Sequence, residues 1–169
     1  MSTENDDNCT DEHAYWMYGL FFFGYISLIG EGDKFLAAQN LRRSHIRVIL
    51  ALRQRPGTTV KELCSYLSVS QQAISRTLKQ LIVEEYIRQE ERVSDRRNRH
   101  LFLSKKGEEA CTGVMKAQKK RLIKTYKTIG LENADATAKM LFGLMGEEES
   151  EKFQKLWGTK THYVSQENE

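Results

Sequence analysis

Two short amphipathic patterns, separated by only a few residues, place the strongest constraint on how this chain can fold. The first, VKELCSYL, follows Thr59, which can cap a helix together with Glu62 three positions later. After the turn SVS, Ser70 can cap a second helix, QQAISRTLKQLIVEEY, whose apolar residues recur at helical spacing. Two short helices joined by so tight a turn are typical of a helix-turn-helix unit. The residues predicted to face its core are Leu63, Leu67, Ile74, Leu78, Leu81 and Ile82.

Two strands are predicted directly after the second helix. The stretches IRQEERV and RHLFLS have the composition and alternation of short strands, with a turn between them at Ser94–Asn98. A hairpin in this position makes the unit a winged helix-turn-helix. Residues 94–104, SDRRNRHLFLS, are then the tip and the returning strand of a two-stranded β wing.

Helices are predicted on both sides of this unit. One runs from about 13 to 38, and another, in LRRSHIRVILALRQR, ends at Pro56 and Gly57. Ser104 can cap a long helix, and residues 131–157 are expected to supply one or two more. The predicted fold class is therefore mainly α. The last region carries an apolar stripe, expected to be core or dimer interface: Ala136, Met140, Leu141, Leu144 and Met145.

The positive charge of the chain is concentrated in its centre. Residues 42–106 hold fifteen Lys/Arg and six Asp/Glu, a net of +9. Residues 1–41 hold one Lys and seven acids, a net of −6, and residues 107–169 hold ten of each sign. A basic block of this kind is typical of a segment that binds nucleic acid, although an exposed, solvated face would give the same count.

The second helix of a helix-turn-helix enters the major groove of DNA, led by its N-terminal residues. Its polar face here has one Arg, one Lys and no acid before Glu84. Gln can pair with adenine and Arg with guanine, whereas Ser and Lys more often contact phosphate. The alternative is that these residues form the ordinary solvent-exposed face of an amphipathic helix. The candidate DNA-binding residues are Ser70, Gln71, Gln72, Ser75, Arg76 and Lys79.

The wing supplies a second group of candidates. Arg96, Arg97 and Arg99 lie on a narrow finger, and an extended arginine fits the negative potential of the minor groove. Asp95 is a poor DNA contact, so its expected role is to hold a neighbouring arginine in a forked ion pair.

Three stretches together resemble the MarR family of bacterial transcriptional regulators: IRVILALRQRPG, LSVSQQAISRTLKQL and SDRRNRHLFLSKKG. The resemblance covers about residues 40–107 and extends more loosely to both ends. The family's wing motif, D-x-R, is matched by Asp95 and Arg97, which implies that Arg97 enters the minor groove with Asp95 as its anchor. One departure is Ser68, at a turn position that is often Gly in the family, and it is expected to cost little.

The resemblance also implies an assembly and a division of the chain. Family members are homodimers on pseudo-palindromic double-stranded DNA, and their terminal helices interlock. Residues 1–12 are then a flexible acidic tail, 13–40 and 108–169 a helical dimerisation region, and 41–107 the DNA-binding lobe. The 17 uncharged residues 14–30 fit a helix buried between subunits better than a membrane span, because of their tyrosines, glycines and acidic flanks.

Many family members release DNA when a small aromatic acid binds near the junction of the two regions. The chain has rings on its first helix and cations around its second, which suits an aromatic carboxylate. Core packing of the rings and surface or phosphate contacts of the cations are the alternative. The candidate effector-binding residues are Tyr15, Trp16, Tyr18, Phe22, Arg42, Arg43, His45 and Arg47.

Other functions remain as alternatives. A second sensing mode of the family uses a reactive cysteine, and Cys9 is the candidate, but its acidic surroundings would raise a thiol pKa. A helical membrane-associated or partner-binding adaptor is the other alternative. The sequence contains no catalytic or metal-binding motif, so neither an enzyme nor a cofactor nor a metal is expected. Three separated cysteines fit a reducing compartment, the cytoplasm.

Overall fold

The computed structural model describes residues 10–92 and 95–158, without the side chains of residues 92 and 95–97. It confirms the mainly α winged helix-turn-helix fold. The helices are α1 (Asp11–Ala38), α2 (Arg43–Gln54), α3 (Val60–Leu67), α4 (Gln71–Val83), α5 (Lys105–Ile129), α6 (Leu131–Gly143) and α7 (Glu147–Trp157), and the strands are β1 (Thr58–Thr59), β2 (Ile87–Arg92) and β3 (Asp95–Leu103).

Helix α1 begins at Asp11, two residues before the predicted start. The side chain of Thr10 accepts a hydrogen bond from the His13 N–H (3.3 Å), and Asp11 and Glu12 lie in the first turn. Acidic residues there interact favourably with the positive end of the helix dipole. The last two residues of the predicted tail are therefore helical, while residues 1–9 lie outside the described part of the chain.

The two central helices are capped as predicted. Thr59 and Glu62 form the reciprocal capping box of α3, with the Thr59 N–H donating to the Glu62 carboxylate (2.8 Å). Ser70 caps α4 by accepting the Ala73 N–H (3.1 Å). Between them Ser68 adopts a left-handed conformation, φ 52° and ψ 47°. A residue other than glycine is disfavoured in this conformation by about 1–2 kcal/mol, and the small cost in stability expected of Ser68 stays a prediction.

The wing differs from its prediction at the tip. Strand β3 already begins at Asp95, so most of the predicted turn at Ser94–Asn98 is strand, and the irregular step falls after the pair Glu91↔Arg99. Backbone pairing does not depend on side-chain polarity, which explains how a charged stretch can form strand. A third strand, β1, adds to the other edge of β3 in the order β1-β3-β2. With two residues it is too short to show an alternation pattern.

The core lies between α2, α3, α4, the small sheet and the first half of α5. Helices α1 and α5 pack against each other closely, because Gly113 leaves room for the ring of Phe35 and Gly32 leaves room for Val114. The largest fully buried side chains are Val48, Ile49, Leu52, Leu63, Leu81, Leu101, Cys111 and Val114.

The apolar residues of α1 and α6 are largely uncovered in the single chain. Tyr15 and Tyr18 are 79% and 70% exposed, and in the α6 stripe Leu144 is 62% exposed. The stripe is therefore not core of this chain, which leaves the dimer interface as its predicted role. Among the described residues, no helix is both long and apolar enough to cross a membrane.

Helix α7 returns to the helix-turn-helix lobe of its own chain. The side chain of Arg55 donates to the backbone carbonyl of Lys155, the Lys152 ammonium contacts Ser68, and Leu156 packs against the core. The segment 131–157 thus forms two helices, and the second of them is hydrogen-bonded to this lobe.

Candidate nucleic-acid interface

Helix α4 has one buried and one exposed face. Ile74, Leu78 and Leu81 fix it to the core, with Leu81 fully buried. The opposite face is exposed at every position that the sequence predicted: Ser70, Gln71, Gln72, Ser75, Arg76 and Lys79. Their exposure is confirmed, whereas their contact with DNA stays a prediction.

The basic residues of the central block are used in different ways. Arg43 pairs with Asp33 (2.5 Å), Arg53 pairs with Glu108 (2.7 Å), and Arg47 donates to the Leu67 carbonyl (3.1 Å). By contrast, Arg76 and Lys79 have no ion pair or hydrogen bond to any other described residue. The cations on the exposed face of α4 are thus left available to an external anion.

A groove of about 430 Å³ separates α4 from the wing. Its floor is apolar, and its rim includes Lys79 of α4 and Gln89 of β2. Val83, at the end of α4, also lines it and is 72% exposed. Neither Gln89 nor Val83 was among the candidates from sequence; the only signal was that β2 follows α4 after three residues, so that its side chains lie close to the helix.

Arg99, on the returning strand of the wing, is linked to the rim of this groove. The Arg99 guanidinium donates to the Gln89 side-chain carbonyl (3.3 Å). For Asp95, Arg96 and Arg97 the structure gives the backbone, as part of β3, and their side chains lie outside the described residues. The ion pair predicted for Asp95 stays a prediction.

Buried His45 connects α2 to α4. Its Nδ1 accepts the Arg42 N–H (2.8 Å), and its Nε2 lies 3.0 Å from the Gln80 side-chain carbonyl. Since Nδ1 accepts a hydrogen bond, Nε2 is the ring nitrogen that donates to Gln80. Gln80 in turn donates to Glu84 (2.8 Å). His45 therefore orients the recognition helix through contacts that are structural.

The other effector candidates are not brought together within one chain. Phe22 and Asp33 are eleven residues apart on α1, which corresponds to roughly 16 Å along the helix axis, and Arg43 lies beside Asp33. Tyr15, Trp16 and Tyr18 lie further away along the same helix. A site that combines the rings with the cations would need a second chain.

The pair Arg43–Asp33 joins α1 to α2. Its hydrogen bond lowers the pKa of the Asp33 carboxyl below the usual value. Because the folded pKa is depressed, the pair contributes stability above the unfolded-state pKa and loses it as the pH falls. Both side chains are partly exposed, so solvent screening keeps this contribution small.

The two described cysteines are packed in helices, as expected. Burial raises the pKa of the Cys64 thiol and of the Cys111 thiol, the latter in spite of nearby Arg53. Cys9 lies outside the described residues. No group of three His, Cys, Asp or Glu side chains within the described ranges could hold a metal ion.

We expect both buried thiols to resist alkylation by iodoacetamide in the folded protein at neutral pH. The thiolate is the reactive form, and burial disfavours it while also blocking access. Peptide mass spectrometry after timed labelling measures the effect, with the denatured protein as the control in which both cysteines should react. Rapid labelling of Cys64 or Cys111 under native conditions would contradict the burial described above.

Comparison with known proteins finds similar sequences and similar folds. Residues 39–98 match the model of the MarR family. The chain is 29% identical over 136 residues to the HTH-type transcriptional regulator PetP of Rhodobacter capsulatus, covering 80% of this chain and 82% of that protein.

Two solved structures share the fold. The MarR family transcription regulator SP03579 superposes with a TM-score of 0.69 at 16% identity, covering 79% of this chain and 88% of the other. FabT of Streptococcus pneumoniae, solved in complex with DNA, superposes with a TM-score of 0.67 at 21% identity, covering 79% and 94%.

Proposed function

We propose that this chain is a transcriptional regulator of the MarR family, which binds a pseudo-palindromic DNA operator as a homodimer through the exposed face of α4 and the wing. It is a regulator and not an enzyme. The observation that carries the proposal is the α4 face, which is exposed, free of acids and holds Arg76 and Lys79 without partners among the described residues. A DNA groove would supply the missing anionic partners.

Each part of the surface has a proposed role. Gln72 and Arg76 are suited to base edges in the major groove, and Ser70, Gln71, Ser75 and Lys79 to phosphates and neighbouring edges. Arg97 enters the minor groove with Asp95 as its anchor, while Arg96 and Arg99 contact the phosphates of the DNA backbone on either side of the groove. FabT, which shares this fold, is a protein solved with DNA bound.

A second copy of the chain is the proposed cover for α1 and α6. Their uncovered rings and aliphatic side chains form a large apolar surface, of the kind that marks an interface. Two-fold symmetry would present two α4 helices to two half-sites one helical turn apart.

The proposed regulation is repression that a small aromatic carboxylate releases. The candidate rings of α1, at residues 15–22, and the cations near α2 are separated within one chain, so the dimer would have to bring them together. The proposal locates the protein with the bacterial chromosome, in the cytoplasm.

The test is a fluorescence-anisotropy titration against the DNA upstream of the protein's own coding sequence. We expect tight binding that weakens by about a thousandfold between about 50 mM and 200 mM salt. Binding releases cations from the DNA phosphates, and this release is less favourable at higher salt. A shuffled duplex of equal length is the control, and light scattering gives the oligomeric state. A panel of benzoates, phenylacetates and hydroxycinnamates is added to the complex.

Each outcome bears on a different part of the proposal. Equal binding to both duplexes, or none, overturns the operator-binding function. Specific binding that no compound weakens overturns the aromatic effector and leads to oxidants and Cys9. A monomer that binds with full affinity overturns the dimer.

A further inference from the structure

Helix α7 contacts the turn of the helix-turn-helix motif. The Lys152 ammonium donates a hydrogen bond to the Ser68 hydroxyl at 2.7 Å, although the two residues are 84 positions apart in the sequence. The Lys152 side chain is only 20% exposed. Arg55, bonded to the Lys155 carbonyl, and Leu156, packed on the core, fix the same helix to the same lobe. The contact is therefore part of a packed interface.

Ser68 is the position where such a contact has the greatest consequence. Ser68 directly follows the last residue of α3 and lies two residues before Ser70, the cap of α4. Its dihedral angles therefore set the angle between the two helices. Its left-handed conformation is disfavoured for serine, so it persists because the surrounding structure holds it. A bond to its hydroxyl restrains the residue that directs α4.

Lys152 differs from its neighbour Lys155 in this bond and in its lower exposure. Lys152 pairs with Glu148, and Lys155 pairs with Glu151 at 3.0 Å, each four residues earlier on α7. Lys155 is 63% exposed, and its ammonium contacts no described residue of the DNA-binding lobe. The two lysines thus form a matched pair that differs in the contact with Ser68.

We propose that Lys152 is a positioning residue for DNA recognition, which holds the α3–α4 turn through Ser68 and so makes the C-terminal helix part of the DNA-reading unit. This inference rests on the proposed function, since it assigns the recognition helix to DNA.

The first measurement does not depend on DNA. Amide hydrogen exchange of the free protein is compared for wild type, Lys152→Ala, Lys152→Arg and Lys155→Ala. We expect Lys152→Ala to accelerate exchange about tenfold at the amides of residues 68–73, with no change at the core of α5. Lys152→Arg should restore slow exchange, because a guanidinium can also donate to the hydroxyl, and Lys155→Ala should behave as wild type.

The second measurement is operator affinity at a temperature far below unfolding. Lys152→Ala should bind about three- to tenfold more weakly than Lys155→Ala, which removes the same charge. Ser68→Ala should weaken binding similarly, and the double variant should be no worse than either single variant.

The outcomes separate this inference from the function on which it rests. Wild type that fails to bind any operator overturns the proposed function, and the exchange of residues 68–73 still decides whether Lys152 holds the turn. Wild type that binds, with Lys152→Ala and Lys155→Ala equal in both exchange and affinity, overturns the inference. Additive effects of Ser68→Ala and Lys152→Ala would also overturn it.

Discussion

Replacing Gly107 by alanine should lower the free energy of unfolding by about 1–3 kcal/mol or more, because an added methyl group cannot be accommodated. A Cβ at this position would lie 2.3 Å from the backbone carbonyl oxygen of Tyr86 and 3.2 Å from the side chain of Leu103. The carbonyl cannot rotate away freely, since it accepts the Ser104 N–H at 3.0 Å. The first turn of α5 would have to move away from Tyr86, the residue directly before β2.

Urea denaturation followed by circular dichroism measures this effect. Gly143→Ala, in α6, is the matched control, because its Cβ would meet nothing within 4 Å and alanine favours helix. The control should be as stable as wild type or more so. A Gly107→Ala variant with unchanged midpoint would contradict the close contact between α5 and Tyr86.

The double variant Gln72→Ala/Arg76→Ala should lose about a hundredfold or more in affinity for the specific operator. Both side chains project from the exposed face of α4, and each base contact contributes about 1–3 kcal/mol of discrimination. Binding to a shuffled duplex should fall much less, because it depends on total charge rather than base edges. The variant should therefore lose specificity more than affinity for DNA in general.

Lys139→Ala is the control for charge, since Lys139 is a surface residue of α6 paired with Asp135 (3.3 Å). Anisotropy on both duplexes gives the specificity ratio, and the melting temperature checks the fold. Retention of the wild-type specificity ratio by the double variant would exclude these two residues from base recognition, whether or not the wing contacts DNA.

Features that depend on local sequence were predictable. The caps of α3 and α4, at Thr59 and Ser70, follow from residue types at fixed offsets. So does the exposed face of α4, which the helical period alone defines. The order of elements then identified the winged fold, because a hairpin after a helix-turn-helix has few alternatives.

Features that depend on long-range contacts were not predictable from the sequence. No sequence pattern indicates that Lys152 is bonded to Ser68. Strand β1 has two residues and forms through its pairing with β3. The rings of the first helix and the cations around the second suggested one pocket, but the eleven-residue helical separation of Phe22 from Asp33, the partner of Arg43, holds them apart. The sequence predicts a turn at Asp95, where the structure has strand, because a charged stretch gives no alternation signal.

The pairing of α1 with α5 has a consequence for synthesis. Glu31 of α1 is joined to Arg121, ninety residues later in the chain, and Phe35 packs at Gly113. At bacterial elongation rates α1 therefore waits roughly 5–20 s after it emerges from the ribosome before its partner helix is made. During that interval its aromatic surface is open to chaperones and to other nascent chains. Under the proposed dimer, the outer half of α1 stays open longer still, until two finished chains meet.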